Sequence, residues 1–184
     1  MPSSVYGPWW ASITVWGVVN AVNVLQAAGF LSRVGTKSMA TNHALGYAIV
    51  ALAIPAAATL VGLVRAKAGW LAWAGPATFV AFVALMVVVD YAAPTEFRSP
   101  ARPAILVPYL FLFFGAILLM GLPMFSLDRR LWLVTVATTV LLLGSMGAAI
   151  LAGAAQSGAS PGTLRDVRGS SLDQNDRSMS WLSR

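Results

Sequence analysis

Long apolar stretches separated by short polar connectors dominate the chain, and five of them are long enough to cross a membrane. A helix needs about 20 apolar residues to span the hydrocarbon core of a bilayer. None of the five stretches carries a formal charge in its interior. Glycine and proline inside them do not argue against helices, because membrane helices tolerate both when neighbouring groups satisfy the backbone. The pattern therefore predicts helices at about 9–31, 43–64, 70–89, 104–125 and 131–155.

The connectors between the predicted helices decide the topology. Most of them are short, which makes consecutive helices antiparallel neighbours. Runs such as 80–89 and 110–119 are apolar on every face, so they lack the alternation of a membrane β-barrel. The sequence predicts an all-α fold, an integral membrane five-helix up-down transmembrane bundle over residues 1–155. Residues 156–184 are rich in Ser, Gly, Asp and Arg without an apolar period, which predicts a flexible C-terminal tail.

The composition of the 184-residue chain agrees with a membrane protein and excludes other classes. Hydrophobic residues make up 58% of it and charged residues 10%, whereas a soluble domain is about 25% charged. The high hydrophobicity rules out intrinsic disorder, and the absence of cysteine rules out a disulfide scaffold. The net charge is +6. Its basic residues lie singly or in pairs between apolar runs, which is typical of helix ends at a headgroup layer and argues against nucleic-acid binding.

The positions of Lys and Arg also predict an orientation. The side of the bundle with the first and third connectors and the start of the tail carries six basic residues, and the opposite side carries four. Because the more basic side faces the cytoplasm, we expect the N-terminus outside and the C-terminus inside. The composition is compatible with a protein of a bacterial cytoplasmic membrane. Aromatic residues near the ends of the stretches, such as Trp70 and Tyr91, fit the headgroup level.

One face of the first predicted helix is polar. At 100° per residue, Ser12, Trp16, Asn20, Asn23 and Gln26 fall within about 120° of one another. Three carboxamides should not face lipid, because an unpaired amide is costly there. This face therefore points into the bundle or at a partner. It either lines a ligand pocket or polar pathway, or it supplies hydrogen bonds that hold helices together.

A second polar group is expected at one end of the bundle. His43 and Tyr47 open the second helix, and the third connector contains Asp90, Glu96 and Arg98. The up-down topology places both at the same membrane face, where they could form a gate, a clamp for a lipid headgroup or a low-affinity metal site. The alternative is an ordered interfacial loop with local ion pairs. A single histidine excludes a haem held by two histidines of this chain.

The fifth predicted helix combines hydroxyl side chains with small residues. Small residues four apart allow helices to approach closely, which favours internal packing or a dimer face. The hydroxyl residues are Thr135, Thr138, Thr139 and Ser145, and the small ones are Gly144, Ala148 and Ala152.

No catalytic motif is present: HExxH, a P-loop and a GxSxG elbow are all missing. The spans also lack the acids and histidines that proton relays use. We therefore expect no catalytic residue, metal or cofactor, and a non-enzymatic protein that binds a membrane lipid or apolar small molecule between its helices as a sensor, carrier or accessory subunit. The alternatives are an oligomeric channel or uniporter for a neutral solute or ion, a structural subunit bound to a partner membrane protein, and a membrane enzyme whose active site lies at the loop from Asp90 to Arg98. The candidate ligand-binding residues are Asn20, Asn23, Gln26, His43, Tyr47, Asp90, Glu96 and Arg98.

Overall fold

The computed structural model describes residues 7–35, 39–92 and 102–158. Within them all regular structure is helical and no strand occurs, so the predicted all-α fold class is confirmed. The third helix continues directly into a short π-helix, Val87–Ala92. The five α-helices are α1 (Trp9–Gly35), α2 (Met39–Arg65), α3 (Trp70–Met86), α4 (Pro103–Leu127) and α5 (Arg129–Gly158).

Each α-helix, with the π-helix added to α3, contains a segment long and apolar enough to cross a bilayer. The mean hydropathy of these segments runs from 1.4 in Trp9–Ser32 to 2.5 in Pro103–Leu127. Most helices extend a few residues past their predicted ends, since a helix can continue through the headgroup layer. Thus α5 runs to Gly158, and the rest of the predicted tail lies outside the described residues. The chain is an integral membrane protein with five candidate spans.

Contacts between helix ends establish the up-down order. The backbone of Gly62, near the end of α2, faces the ring of Trp10 at the start of α1. Gly75, near the start of α3, lies against Met120 towards the end of α4. The helices α1 and α5 also pack on each other, and α1 contacts α2 and α4 as well. The first and last helices therefore close the bundle into a ring.

Two turns on one membrane face are held by local hydrogen bonds. Lys67, just after the end of α2, has the left-handed conformation with a φ of 52°, and the Ala68 N–H donates to the Leu63 carbonyl at 3.1 Å. This satisfies a carbonyl that the helix end would leave unpaired. Before α5, Asp128 Oδ1 accepts a hydrogen bond from the Arg130 N–H at 2.7 Å. The carboxylate therefore caps the helix.

The core is built from aromatic, methionine and β-branched side chains. Val19 and Val22 of α1 are buried beside Phe82 of the third helix and Met120 of the fourth. Many large apolar residues instead lie on the outer surface; Phe111 is 75% exposed and Ile54 is 74% exposed. In lipid such exposure costs nothing, so close packing and hydrogen bonds have to hold the helices together.

Candidate functional site

The polar face of α1 packs against α5. Asn20 Nδ2 donates to the carbonyl of Trp16 at 2.8 Å and to Thr135 Oγ1 at 3.2 Å. Its Oδ1 accepts a hydrogen bond from Thr138 Oγ1 at 2.8 Å. The Asn20 amide therefore has partners for both its nitrogen and its oxygen, two of them on the neighbouring helix.

Asn23 makes a second set of contacts one turn along. Its side chain is fully buried, and its Nδ2 donates to Thr138 Oγ1 at 3.1 Å and to Thr139 Oγ1 at 3.0 Å. The Asn23 Oδ1 is buried without a hydrogen-bond partner among the described residues. A buried amide oxygen without a donor is costly. The Asn23 amide nevertheless lies this way round because its nitrogen finds two threonine oxygens that accept its hydrogens.

The indole of Trp16 completes the contact between the two helices. Its Nε1 donates to the carbonyl of Leu131 at the start of α5, at 3.0 Å. Ser12 is also buried, and Gln26 is half-buried. Through Asn20 and Asn23, the polar face therefore supplies hydrogen bonds that hold α1 and α5 together. Ligand binding by these two residues and by Gln26 stays a prediction.

The threonines of α5 are the partners that sequence reasoning did not assign to α1. Thr138 donates to Asn20, and the hydroxyl of Thr139 donates to the carbonyl of Thr135 at 2.7 Å. Because each threonine hydroxyl directs its hydrogen elsewhere, its oxygen remains to accept from Asn23. The signal in the sequence is the matching spacing: amides three apart on α1 and hydroxyls three and four apart on α5.

Tyr47 and Tyr91 meet at the other predicted site. Their ring centroids are 5.2 Å apart and the rings are tilted by 35°. Tyr47 is 62% exposed, whereas Tyr91 is half-buried. Gly46 makes room for the Tyr91 hydroxyl, because a Cβ at position 46 would collide with it. The start of α2 and the end of the third helix thus form an aromatic mouth, which we define as Tyr47, Asp90 and Tyr91.

The π-helix positions two of these three residues. Asp90 and Tyr91 lie within Val87–Ala92, where the wider turn rotates side chains away from the directions that an α-helix would give them. Such turns often occur at functional sites. Asp90 is half-buried and directly precedes Tyr91 in the chain. The carboxylate and the tyrosine pair therefore share one end of the bundle.

The remaining residues predicted at this mouth are only partly described. The backbone of His43 lies in α2, one turn before Tyr47, and its side chain is outside what the structure describes. Glu96 and Arg98 lie outside the described residues. Within the described part of the chain, no three His, Asp or Glu side chains lie close enough to hold a metal ion. Sequence reasoning assigned Tyr91 to the headgroup level and missed Gly46; the signal was a glycine directly before Tyr47.

A small pocket lies at the opposite end of the bundle. Ser12, Leu63 and Pro123 are among its lining residues, and it has room for about one water-sized molecule. An acyl chain does not fit in such a space. The aromatic mouth therefore remains the better candidate for a ligand.

Comparisons of the chain with protein-family models, with curated proteins and with solved structures find no match. Its function has to be inferred from the residues of the site.

Proposed function

We propose that the protein binds an amphipathic, lipid-like molecule without catalysing a reaction, as a sensor, carrier or accessory subunit, and that the polar end of this guest lies at the aromatic mouth. The observation that carries the proposal is the contact between Tyr47 and Tyr91 beside Asp90. A tyrosine has an apolar ring and a polar tip, which suits the boundary between hydrocarbon and headgroups. The carboxylate adds a charged group at the same place.

The surface on the membrane side of the mouth suits an acyl chain. The exposed positions that follow Tyr47 along α2 include Ala51, Ile54 and Ala58, and those that precede Asp90 in the third helix and the π-helix include Ala81, Ala84 and Val88. These aliphatic side chains form an apolar surface beside the tyrosine rings. A guest chain can lie along this surface while its polar end stays at the mouth.

The interior of the bundle is a poorer binding site for the guest than the mouth is. The Asn20 and Asn23 amide nitrogens donate to threonines of α5, so a guest between these two helices would have to break interhelical hydrogen bonds. This favours binding at the mouth and along the outer surface of α2 and α3. The three other hypotheses, an oligomeric channel, a structural subunit and a membrane enzyme, stay predictions.

Purification in a mild neutral detergent tests the proposal. We expect native mass spectrometry to detect about one amphiphile retained per chain in the wild-type protein. In Gly46→Ala the new methyl group displaces Tyr91, and we expect retention to fall by about fivefold, which corresponds to about 1 kcal/mol of binding free energy.

The matched control is Gly144→Ala. It makes the same chemical change at a position with nothing within 4 Å of the added Cβ, and we expect wild-type retention. A wild-type protein that carries no amphiphile, even after lipid is added back, contradicts the proposal. Equal losses in the two variants contradict the assignment of the site to the mouth.

A further inference from the structure

We infer that the polar end of the guest is an ammonium group, held against the exposed face of the Tyr47 ring and beside the Asp90 carboxylate. This inference rests on the proposed function and adds the chemical class of the ligand. The negative face of an aromatic ring attracts a cation, and a nearby carboxylate adds attraction of the same sign.

The geometry of the tyrosine pair leaves one ring face for a ligand. With centroids 5.2 Å apart and a tilt of 35°, Tyr91 covers one side of the Tyr47 ring. Tyr47 remains 62% exposed, so its other side can receive a cation. The covered side fixes the ring in place, which reduces the ordering cost of binding.

The position of Tyr91 is itself fixed by the backbone. The π-helix directs this residue towards α2, and Gly46 leaves the space that its hydroxyl occupies. A platform that is already formed before the ligand arrives is what a cation–π site needs, because the attraction of a single ring is small.

Asp90 gives the mouth itself a negative charge. Asp90 is the only acid between residues 39 and 92, and the basic residues of that stretch, Arg65 and Lys67, lie at the opposite membrane face. The negative charge of the carboxylate attracts an ammonium group whether or not that group carries an N–H, so this attraction adds to the interactions that Asp90 already makes. The other described acid, Asp128, caps α5 at the far end.

Basic residues at the same membrane face attract anionic groups. Arg102 is exposed at the start of α4, where it can meet a phosphate. A zwitterionic phospholipid would satisfy both groups, with its ammonium at the mouth and its phosphate near the arginine. A single-chain cationic amphiphile would use the mouth alone. Both carry the proposed ammonium, and an anionic lipid does not.

Native mass spectrometry with lipids of identical acyl chains tests the inference. We expect the wild-type protein to bind phosphatidylethanolamine and phosphatidylcholine about five- to tenfold more tightly than phosphatidylglycerol. Dodecyltrimethylammonium should displace the two zwitterionic lipids if the ammonium is the main determinant. If it displaces neither while both still bind better than phosphatidylglycerol, the zwitterionic phospholipid is the source of the ammonium.

Three variants assign the preference to the mouth. In Tyr47→Leu the aromatic face is lost, and in Asp90→Asn the charge is lost; we expect each to reduce the preference to about twofold or less. Tyr47→Phe keeps the aromatic face and should retain it. The control is Trp70→Leu, which removes an aromatic side chain of similar exposure (64%) at the opposite membrane face. Equal melting temperatures establish that the variants are folded.

The outcomes separate this inference from the proposed function. Equal binding of all headgroups, or tighter binding of phosphatidylglycerol, overturns the inference while the protein still binds a lipid. A preference that survives unchanged in Tyr47→Leu and Asp90→Asn also overturns it. Absence of binding by every lipid and by dodecyltrimethylammonium contradicts the proposed function as well.

Discussion

Replacing Gly75 with leucine is expected to destabilise the bundle by about 3 kcal/mol or more, because the backbones of α3 and α4 approach each other closely there. A Cβ on Gly75 would lie 2.8 Å from the backbone nitrogen of Met120 and 2.9 Å from the carbonyl carbon of Leu119. A helix backbone cannot move aside as a flexible side chain can. The two helices would have to separate, and van der Waals packing is a main source of their association in lipid.

A milder pair of variants isolates this effect. Gly75→Ala should lower the melting temperature in detergent by several degrees, equivalent to about 1–3 kcal/mol of overpacking. Gly115→Ala lies in the same interface on α4, but its Cβ would be 3.8 Å from Thr78 Cγ2, an ordinary contact. We expect Gly115→Ala to match the wild type or exceed it. Equal destabilisation by both alanine variants would contradict the close approach at Gly75.

Replacing Asn23 with aspartate is the second change with a large expected effect. The side chain is fully buried, and its amide nitrogen donates to two threonine oxygens. Aspartate puts an acceptor where a donor is needed and brings a titratable carboxyl into the membrane interior. We expect a loss of about 3 kcal/mol in the free energy of unfolding, similar to the cost of an acid at the centre of a membrane helix. Chemical unfolding in bicelles measures it.

Asn23→Leu is the matched control. It removes the two donated hydrogen bonds but also removes the Oδ1 that has no partner among the described residues. Interhelical hydrogen bonds in membranes contribute about 0.6 kcal/mol on average, so we expect a loss below about 1.5 kcal/mol. If aspartate and leucine destabilise the protein equally, the amide does not act as a donor to Thr138 and Thr139.

The sequence predicts the helices well for a physical reason. In lipid the backbone must satisfy its own hydrogen bonds, so a charge-free stretch of about 20 apolar residues can hardly be anything but a helix. All five predicted stretches are helical. The polar face of α1 follows from periodicity, but its partner on α5 does not. Which helix closes the ring with α1 depends on packing between segments more than 100 residues apart.

The mouth could be predicted only in part. Its topology follows from short connectors, which bring the start of α2 and the end of the third helix to one membrane face. The π-helix does not follow, because nothing in Val87–Ala92 distinguishes it from the end of an α-helix. Without that turn, the contact between Tyr47 and Tyr91 cannot be derived from residue spacing. The role of Gly46, which is to leave space for the Tyr91 hydroxyl, can be recognised only once the position of that hydroxyl is known.

Binding of an amphiphile at the aromatic mouth is tested most directly by photocrosslinking. A phospholipid with a diazirine near its headgroup is added to the wild-type protein in nanodiscs, and the labelled peptides are located by mass spectrometry. We predict labelling concentrated within 44–51 and 84–92, and its loss on addition of excess unlabelled lipid. Labelling spread evenly over exposed residues such as Phe111 and Ile150, unaffected by competitor, would contradict a specific site at Tyr47 and Tyr91.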